Sequence, residues 1–271
     1  MSAADQDPHD AAVDDNEQPF LDHLIELRMR ILRSFAFVFV LFIPIYAFSD
    51  QIFAFVAAPL IEELPEGVQM IATQVTTPFL TPFKLAIYMA VFIGIPFLLH
   101  QLWAFVSPGL YRGEKRFAVP LLLSSVILFY CGMAFCYYLV FPLVFGFFAQ
   151  ISPADVTMMT DINSYLDFVL KMFLAFGMAF EIPVATCLLA WSGLASAAAM
   201  AAKRPFVIIG CFVVGMLMTP PDVISQLLLA VPTWLLFEFG VILARLVENK
   251  GKEKSGLSEE GKDSEDEHAA S

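Results

Sequence analysis

Long apolar runs constrain this chain more than any other feature of its sequence. A helix needs about 20 apolar residues to cross the hydrocarbon core of a bilayer, which is roughly 30 Å thick. Six runs reach or approach that length, and they cover about 31–49, 83–106, 118–148, 165–191, 205–219 and 223–243. The sequence therefore predicts an all-α polytopic membrane protein with six transmembrane helices.

The amino-acid composition excludes an ordinary soluble enzyme. Of the 271 residues, 59% are hydrophobic and 15% are charged, whereas soluble domains carry about 25% charged residues. The sequence contains no Gly-rich phosphate loop, nucleophile elbow or HExxH motif, so we expect no catalytic activity. It has no basic stripe outside short loops, and its cysteines and histidines lack metal-ligand spacing. We therefore expect no nucleic-acid partner, no metal and no cofactor.

The net charge of −12 belongs to the two ends of the chain. Residues 1–27 contain eight acidic residues and no Lys or Arg, and residues 248–271 contain eight acidic residues and four lysines. Between them, residues 28–247 carry eleven acidic and eleven basic residues. We interpret these segments as an acidic cytoplasmic N-terminal tail, a disordered cytoplasmic C-terminal tail and, between them, a six-helix membrane domain.

Lysine and arginine are concentrated in alternate connections between the apolar runs. Basic residues lie in 28–33, 107–117, 192–204 and the C-terminal tail. The opposite connections contain neither Lys nor Arg, and these are 50–82, 149–164 and 220–222. Because basic loops remain in the cytoplasm, this pattern predicts that both termini are cytoplasmic.

The last two apolar runs are short. The fifth, 205–219, has 15 residues, which is about 22 Å of helix, and two prolines and an aspartate follow it. The sixth is free of charge only from residue 223 to 237, because Glu238 interrupts it. We therefore predict short fifth and sixth helices, of which the fifth needs a thinned bilayer or shielding by its neighbours.

The connection 50–82 contains an apolar stretch that is too short to span. Residues 51–59 predict an interfacial helix that ends at Pro59. After it, the stretch with Pro78 and Pro82 predicts an extended lead into the second span.

One ionisable residue, Glu181, lies in the middle of the fourth run. Such a group faces the interior of a bundle, a partner or a watery cavity. We favour a polar site in a membrane concavity over a protonated glutamate that only hydrogen-bonds a neighbouring helix. Pro183 predicts a bend or cavity there, because it removes a backbone donor. Asp167 is expected to pair with Lys171, four residues later.

Two acidic residues lie on the inner side, and one amide lies within the sixth run. Glu26 is four residues before Arg30, which predicts an ion pair along the helix. Glu114 lies among basic loop residues and is either a solvated carboxylate or a docking point for a cationic ligand. The residues alone favour the first interpretation, because exposed ion pairs contribute little. Gln226 predicts an inter-helix hydrogen bond.

Seven segments carry a resemblance to a known family. In chain order they are LDHLIELRMRIL, APLIEELP, TTPFLTPFKL, WAFVSPGLYRGEKR, FPLVFGFFA, AFGMAFEIPVA and GMLMTPPDVISQ. They resemble the TatC family, the multi-spanning subunit of the twin-arginine protein translocase. The resemblance covers about 18–247.

The resemblance implies a glove-shaped, concave bundle in the bacterial cytoplasmic membrane that acts as a receptor for twin-arginine signal peptides. Such proteins form homo-oligomeric receptor complexes and work with TatB-like and TatA-like single-span subunits. Together they export folded precursors using the proton-motive force. Two guanidinium groups require carboxylates for charge-assisted hydrogen bonds, which gives the inner acidic residues a function.

The resemblance also implies roles for individual residues. The signal-peptide site comprises Glu26, Phe105, Leu110 and Glu114, and the intramembrane polar site is Glu181. Contacts with partner helices are implied for Met216, Thr219 and Gln226, and positions in an outer cap for Pro59 and Phe79.

Two other functions are compatible with a polytopic helical protein. One is a proton-coupled secondary transporter of small solutes that uses Glu181, but we find no repeat symmetry between the two halves of the sequence. The other is a passive scaffold for membrane proteins, which does not require an intramembrane glutamate.

Overall fold

The computed structural model describes residues 8–62, 70–106, 118–151, 159–218 and 223–269, with side-chain surroundings for 24–62, 70–105, 119–151, 159–218 and 223–249. The chain in these ranges is almost entirely helical. The helices are α1 (Pro8–Ala47), α2 (Ser49–Ile61), α3 (Thr77–Val106), α4 (Ala118–Phe135), α5 (Phe141–Ile151), α6 (Ile162–Ala179), α7 (Ile182–Trp191), α8 (Ala197–Ala202), α9 (Arg204–Met218) and α10 (Val223–Ala269). A π-helical turn, Cys136–Val140, joins α4 to α5.

Five helical stretches within the described ranges are long and apolar enough to cross a membrane. They are Leu24–Ala47, Thr77–Phe105, Val119–Ile151, Ile162–Trp191 and Val223–Asn249. The predicted fifth span is helix α9, whose 15 residues make it short, as expected. The all-helical fold class is therefore confirmed, and a sixth crossing through α9 stays a prediction.

The prediction of a short sixth helix was wrong. The apolar stretch of α10 runs for 27 residues, from Val223 to Asn249, and passes straight through Glu238. The reason is a long-range ion pair, because Arg204 Nη2 at the start of α9 donates to Glu238 Oε2 at 2.7 Å. A carboxylate that is paired in this way does not end a membrane helix.

The largest apolar core lies between α3, α4, α5 and α6, with contributions from α2 and α10, and it contains a cluster of aromatic rings. Phe92, Phe141 and Phe176 are almost completely buried. The ring of Phe173 lies edge-on to two of them, with centroid distances of 6.1 Å to Phe92 and 5.1 Å to Phe141. Because lipid tails are as apolar as these side chains, the hydrophobic effect contributes little to helix association in a membrane. Close van der Waals packing of this kind therefore holds the bundle together.

Two glycines allow α4 and α6 to approach each other closely. A Cβ atom at Gly132 would lie 2.5 Å from the carbonyl oxygen of Phe176. A Cβ atom at Gly177 would lie 2.6 Å from the ring of Phe129. Small residues at helix contacts are typical of membrane bundles, and here they fix the separation of two core helices.

A second, smaller core holds the C-terminal helices together. It joins Ala190 of α7 and Met200 of α8 to Phe237 and Val241 of α10. Gly240 of α10 packs so closely on α7 that an added Cβ would overlap the hydroxyl of Thr186. Helix α10 therefore packs tightly against α7.

Two predictions for the outer connection need correction. Helix α2 continues through Pro59 to Ile61, so Pro59 does not end it. Helix α3 begins at Thr77, so the stretch with Pro78 and Pro82 is helical rather than extended. Proline fits the first helical turn, because the N–H that it lacks has no intrahelical partner there, and Pro82 follows within the next turn.

The backbone of α10 is helical through Ala269, over the segment that the composition assigns to a disordered tail. Glutamate and lysine are strong helix formers, so local propensity agrees with a helical backbone even where no apolar surface is available for packing.

Candidate functional site

The N-terminal end of the apolar stretch of α1 holds a carboxylate and a guanidinium in direct contact. Arg30 Nε and Nη2 donate to Glu26 Oε1 at 3.0 and 2.5 Å, which confirms the predicted ion pair. Arg30 Nη1 donates to Gln101 Oε1 on α3 at 3.3 Å. Both donors of the ion pair use the same carboxylate oxygen, and within the described residues Glu26 Oε2 accepts no hydrogen bond. One oxygen of this partly exposed carboxylate is therefore available to a ligand.

The link to Gln101 also places an aromatic residue near the carboxylate. Phe105 follows Gln101 by four residues on α3, so the two side chains lie on the same side of that helix. Since Arg30 contacts Gln101, helix packing brings Glu26 and Phe105 to the same end of the α1–α3 pair. Of the other two residues expected here, Leu110 and Glu114 both lie outside the described residues.

Glu181 lies at an interruption of the fourth span. Helix α6 ends at Ala179 and α7 begins at Ile182, so Phe180 and Glu181 form a turn between them. Pro183 occupies the first turn of α7, which agrees with the predicted bend. Glu181 is half-buried, and within the described residues its Oε1 atom is buried without a hydrogen-bond partner. The break thus presents an incompletely satisfied carboxyl group in the middle of a membrane segment.

Polar side chains lie between this carboxyl group and α3. Ser125 on α4 is completely buried and lies near the Glu181 carboxyl. The Ser125 hydroxyl accepts a hydrogen bond from Trp103 Nε1 at 3.4 Å. Since Trp103 is two residues from Phe105, Ser125 lies near both Glu181 and the C-terminal end of α3. Ser125 and Trp103 were not predicted from the sequence, because a single serine in an apolar run carries no specific signal.

The residues expected to contact partner helices belong to α9, to α10 and to the connection between them. Gln226 Nε2 donates to the carbonyl oxygen of Phe212 at 3.0 Å, which confirms the predicted inter-helix hydrogen bond. Met216 is 59% exposed on the surface of α9. Thr219 lies outside the described residues. In the described part of this region, the Gln226 amide is therefore hydrogen-bonded within the chain, and the apolar side chain of Met216 is exposed.

On the outer side, Pro59 is buried in α2 and Phe79 is 68% exposed near the start of α3. Beside them, the segment before α3 pairs with the start of α6. Ile71 N donates to Thr160 O and Ile162 N donates to Ile71 O, at 3.0 and 2.9 Å. The outer connection is thus attached to the main bundle by backbone hydrogen bonds.

A carboxylate reinforces this attachment. Asp161 caps α6 and accepts hydrogen bonds from the backbone N–H and hydroxyl groups of Ser164 and Thr73. The backbone N–H groups of Ser164 and Thr73, followed by the Thr73 hydroxyl, lower the pKa of Asp161 to about 2. Because this pKa lies below its usual value, the contribution of Asp161 to stability is complete above about pH 4 and is lost as the pH falls towards 2.

The predicted pair of Asp167 with Lys171 was wrong. Asp167 Oδ1 instead accepts from Lys84 Nζ of α3 at 2.5 Å, and Lys84 also donates to Asn163 at 2.8 Å. A contact between residues 83 positions apart in the sequence removes Asp167 from its neighbour on α6. Helix packing has overridden the local pattern, because the outer end of α3 offers the carboxylate a cation that is already close.

Residues 22–232 match the sequence profile described as Sec-independent protein translocase protein (TatC). The chain belongs to the TatC family. It is 56% identical to the TatC protein of Azotobacter chroococcum mcd 1 over 87% of this chain and 92% of that protein. It is 50% identical to TatC of Escherichia coli strain K12 over 89% of this chain and 93% of that protein.

A solved structure agrees with this membership. A crystal structure of the twin arginine translocase receptor TatC superposes with a TM-score of 0.77 at 34% identity, over 83% of this chain and 99% of that chain. The TatC-family chain is therefore a membrane-embedded component of a Sec-independent protein translocase, with a role in transport rather than catalysis. Within the described residues, no group of three His, Cys, Asp or Glu side chains could hold a metal ion.

Proposed function

We propose that this chain is the receptor for twin-arginine signal peptides and the core subunit of a translocase that exports folded proteins using the proton-motive force. The observation that carries the proposal is the Glu26 carboxylate, which already binds a guanidinium and keeps Oε2 available. Phe105, on the adjacent end of α3, offers an apolar contact for the residues that accompany the arginine pair.

The contact between Arg30 and Glu26 indicates how a ligand would bind. An incoming arginine would use Oε2 first and could replace Arg30 at Oε1, because Arg30 keeps Gln101 as an alternative acceptor. A guanidinium donates in a planar fork that matches a carboxylate, whereas a lysine ammonium does not. We assign the second arginine to Glu114 and the apolar contacts to Phe105 and Leu110.

We also propose the placement of the chain in the membrane. Its six spans, including the short α9, cross the bacterial cytoplasmic membrane with both termini in the cytoplasm and form a glove-shaped bundle. Residues 28–247 constitute the membrane domain, and residues 1–27 and 248–271 form cytoplasmic tails. The alternation of basic connections supports this orientation.

The partners that we propose are TatB-like and TatA-like single-span helices and further copies of this chain in a receptor complex. Met216, Thr219 and Gln226 would contact a partner helix, and Pro59 and Phe79 would belong to an outer cap. Support for the contact comes from the exposed apolar surface of α9 around Met216.

Photocrosslinking tests the proposed receptor site. Benzoyl-phenylalanine replaces Phe105 in one variant and the exposed Ile127, on α4, in a control variant. We expect a precursor with an Arg-Arg leader to crosslink at position 105 and not at 127, and a Lys-Lys leader to crosslink much less at 105. Equal crosslinking of both leaders at position 105 would contradict the proposal.

The transporter alternative rests on Glu181 alone. It predicts that Glu181→Gln abolishes proton uptake into vesicles driven by a solute gradient, in the absence of any precursor protein. The receptor proposal predicts no such uptake in the wild-type protein.

A further inference from the structure

An apolar groove runs between α1 and α3 on the outside of the bundle. Its volume is about 410 Å³, and its walls include Phe35, Val38 and Phe42 of α1 and Phe83, Ile87 and Val91 of α3. Ser34, a polar residue at its edge, donates its hydroxyl hydrogen to the carbonyl oxygen of Arg30 at 2.9 Å. The groove therefore presents hydrocarbon and aromatic surface without an unsatisfied polar group.

The length and lining of the groove suit an acyl chain. Its lining on α3 extends from Phe83 to Leu98, which is about 22 Å at 1.5 Å per residue. Half of the hydrocarbon core of a bilayer is about 15 Å thick, so the groove is long enough for the acyl chain of a lipid in one leaflet. Apart from Ser34, its lining residues offer this chain only hydrocarbon and aromatic surface.

An exposed cation, Arg28, lies beyond the end of the groove marked by Ser34. Arg28 precedes Phe35 by seven residues, close to two helical turns, so Arg28, Phe35 and Phe42 lie along one side of α1. Among the residues with described side chains, Arg28 forms no ion pair, and the ion pair of Glu26 is with Arg30. An anionic group at this position would meet an exposed guanidinium.

We propose that this groove, together with Arg28, is a binding site for an anionic phospholipid. One acyl chain lies along the Phe35–Phe42 side of α1 against α3, and the phosphate group contacts the Arg28 guanidinium. A basic residue near the membrane surface contributes about 1 kcal/mol to the binding of an anionic lipid, which corresponds to about a fivefold preference over a zwitterionic lipid.

The opposite side of α1 supplies a matched control. Arg33 precedes Val40 by seven residues, as Arg28 precedes Phe35, and both Arg33 and Val40 are exposed. Val40 does not line the groove. Each side of α1 therefore carries an arginine and, seven residues later, an exposed apolar residue. Only the side with Arg28 and Phe35 borders the groove.

Photocrosslinking in defined vesicles tests this site. The full-length protein carries benzoyl-phenylalanine at position 35 or 40, in vesicles with equal amounts of phosphatidylglycerol and phosphatidylethanolamine. Mass spectrometry then identifies the crosslinked lipid. We expect phosphatidylglycerol to be enriched about fivefold at position 35 and not at position 40. Arg28→Gln should abolish the enrichment, whereas Arg33→Gln should leave it unchanged.

A further variant separates the groove from general surface charge. Val91→Trp fills the groove while it keeps Arg28, so we expect it to reduce the enrichment at position 35 to the bulk ratio. Equal enrichment at positions 35 and 40, or enrichment that survives Arg28→Gln or Val91→Trp, would overturn the proposal. Crosslinks from position 35 mainly to protein in native membranes would also overturn it.

Discussion

The bundle formed by α3, α4, α5 and α6 and the short helix α9 have similarly apolar sequences but bury them very differently. The bundle encloses a continuous aromatic core in which residues such as Phe92, Phe141 and Phe176 are almost inaccessible. Among the 15 residues of α9, the buried ones are Cys211 and Gly215. Apolar character in a membrane protein therefore does not distinguish a core from a surface, and the helix contacts decide which it is.

This difference indicates a division of roles. The bundle fills its own interior, and it supports α1, which carries Glu26, and the end of α6, which Glu181 follows. Helix α9 leaves large side chains such as Met216 and Leu217 on its surface, at 59% and 65% exposure. This exposed apolar surface lies on the same pair of helices as Gln226, whose amide is already hydrogen-bonded. Such a surface is suited to contact with another membrane helix.

The largest expected difference between the two regions concerns glycine. Gly132→Ala would place a Cβ atom 2.5 Å from a backbone oxygen of α6, whereas a Cβ at Gly210 of α9 meets no atom within 4 Å. We expect Gly132→Ala to lower the free energy of unfolding by about 2–3 kcal/mol because of overpacking. Gly210→Ala should be neutral or slightly stabilising. The stability of both variants can be measured by unfolding them in mixed micelles with increasing dodecyl sulfate. Equal unfolding midpoints for Gly132→Ala and Gly210→Ala would contradict the proposed difference between the bundle and α9.

A smaller effect is expected where a polar contact joins α3 to α6. Lys84→Met leaves Asp167 without its cation, and Asp167→Leu leaves Lys84 without its anion. Because both side chains are partly exposed, we expect each single variant to lower the free energy of unfolding by at most about 1 kcal/mol, and the double variant to cost less than the sum.

Lys171→Met is the control for this pair. Lys171 lies four residues after Asp167 but makes no ion pair with it, so its removal should change stability very little. If Lys171→Met lowered the free energy of unfolding as much as Lys84→Met does, the result would support the pair of Asp167 with Lys171 that the sequence pattern predicts.

The smallest effect on stability is expected at the contact of α9 with α10. Gln226→Leu removes the hydrogen bond to Phe212, and inter-helix hydrogen bonds in membranes contribute about 0.6 kcal/mol on average. The same change should markedly reduce capture of a TatB-like single-span partner, if this region is a partner surface. Copurification with that partner, together with an unfolding midpoint, measures both effects. A large loss of stability with unchanged capture would instead make Gln226 a structural residue.

Local spacing predicted some contacts correctly, but it did not indicate which charged residues would be paired by the packing of distant helices. The pair of Glu26 with Arg30 follows from helical spacing, and the break at Glu181 follows from Pro183. The pair of Lys84 with Asp167 depends on how α3 packs on α6, and no local pattern contains that information. Glu238 was predicted to interrupt the sixth apolar run, because no local pattern shows that its partner is Arg204, 34 residues earlier.

The candidate site shows the same limit. The resemblance of short segments to the TatC family indicates Glu26, Phe105 and Glu181 individually. The hydrogen bond from Arg30 to Gln101, and the position of Ser125 between Trp103 and Glu181, emerge only when the helices are assembled. Serine and glutamine near the ends of apolar runs are common, so their presence in a sequence does not predict such contacts.

The affinity of the purified protein in nanodiscs for matched leader peptides tests the central claim most directly. The peptides differ only in an Arg-Arg or Lys-Lys pair, and the protein is wild type, Glu26→Gln with Glu114→Gln, or the control Glu248→Gln. Glu248 is a paired carboxylate elsewhere, since it accepts a hydrogen bond from Ala197 N. We predict that wild type and the control bind the Arg-Arg peptide at least about tenfold more tightly, or about 1.4 kcal/mol, and that the double variant loses this preference. Equal affinity of the folded wild-type protein for both peptides, or a preference that persists in the double variant, would contradict the account.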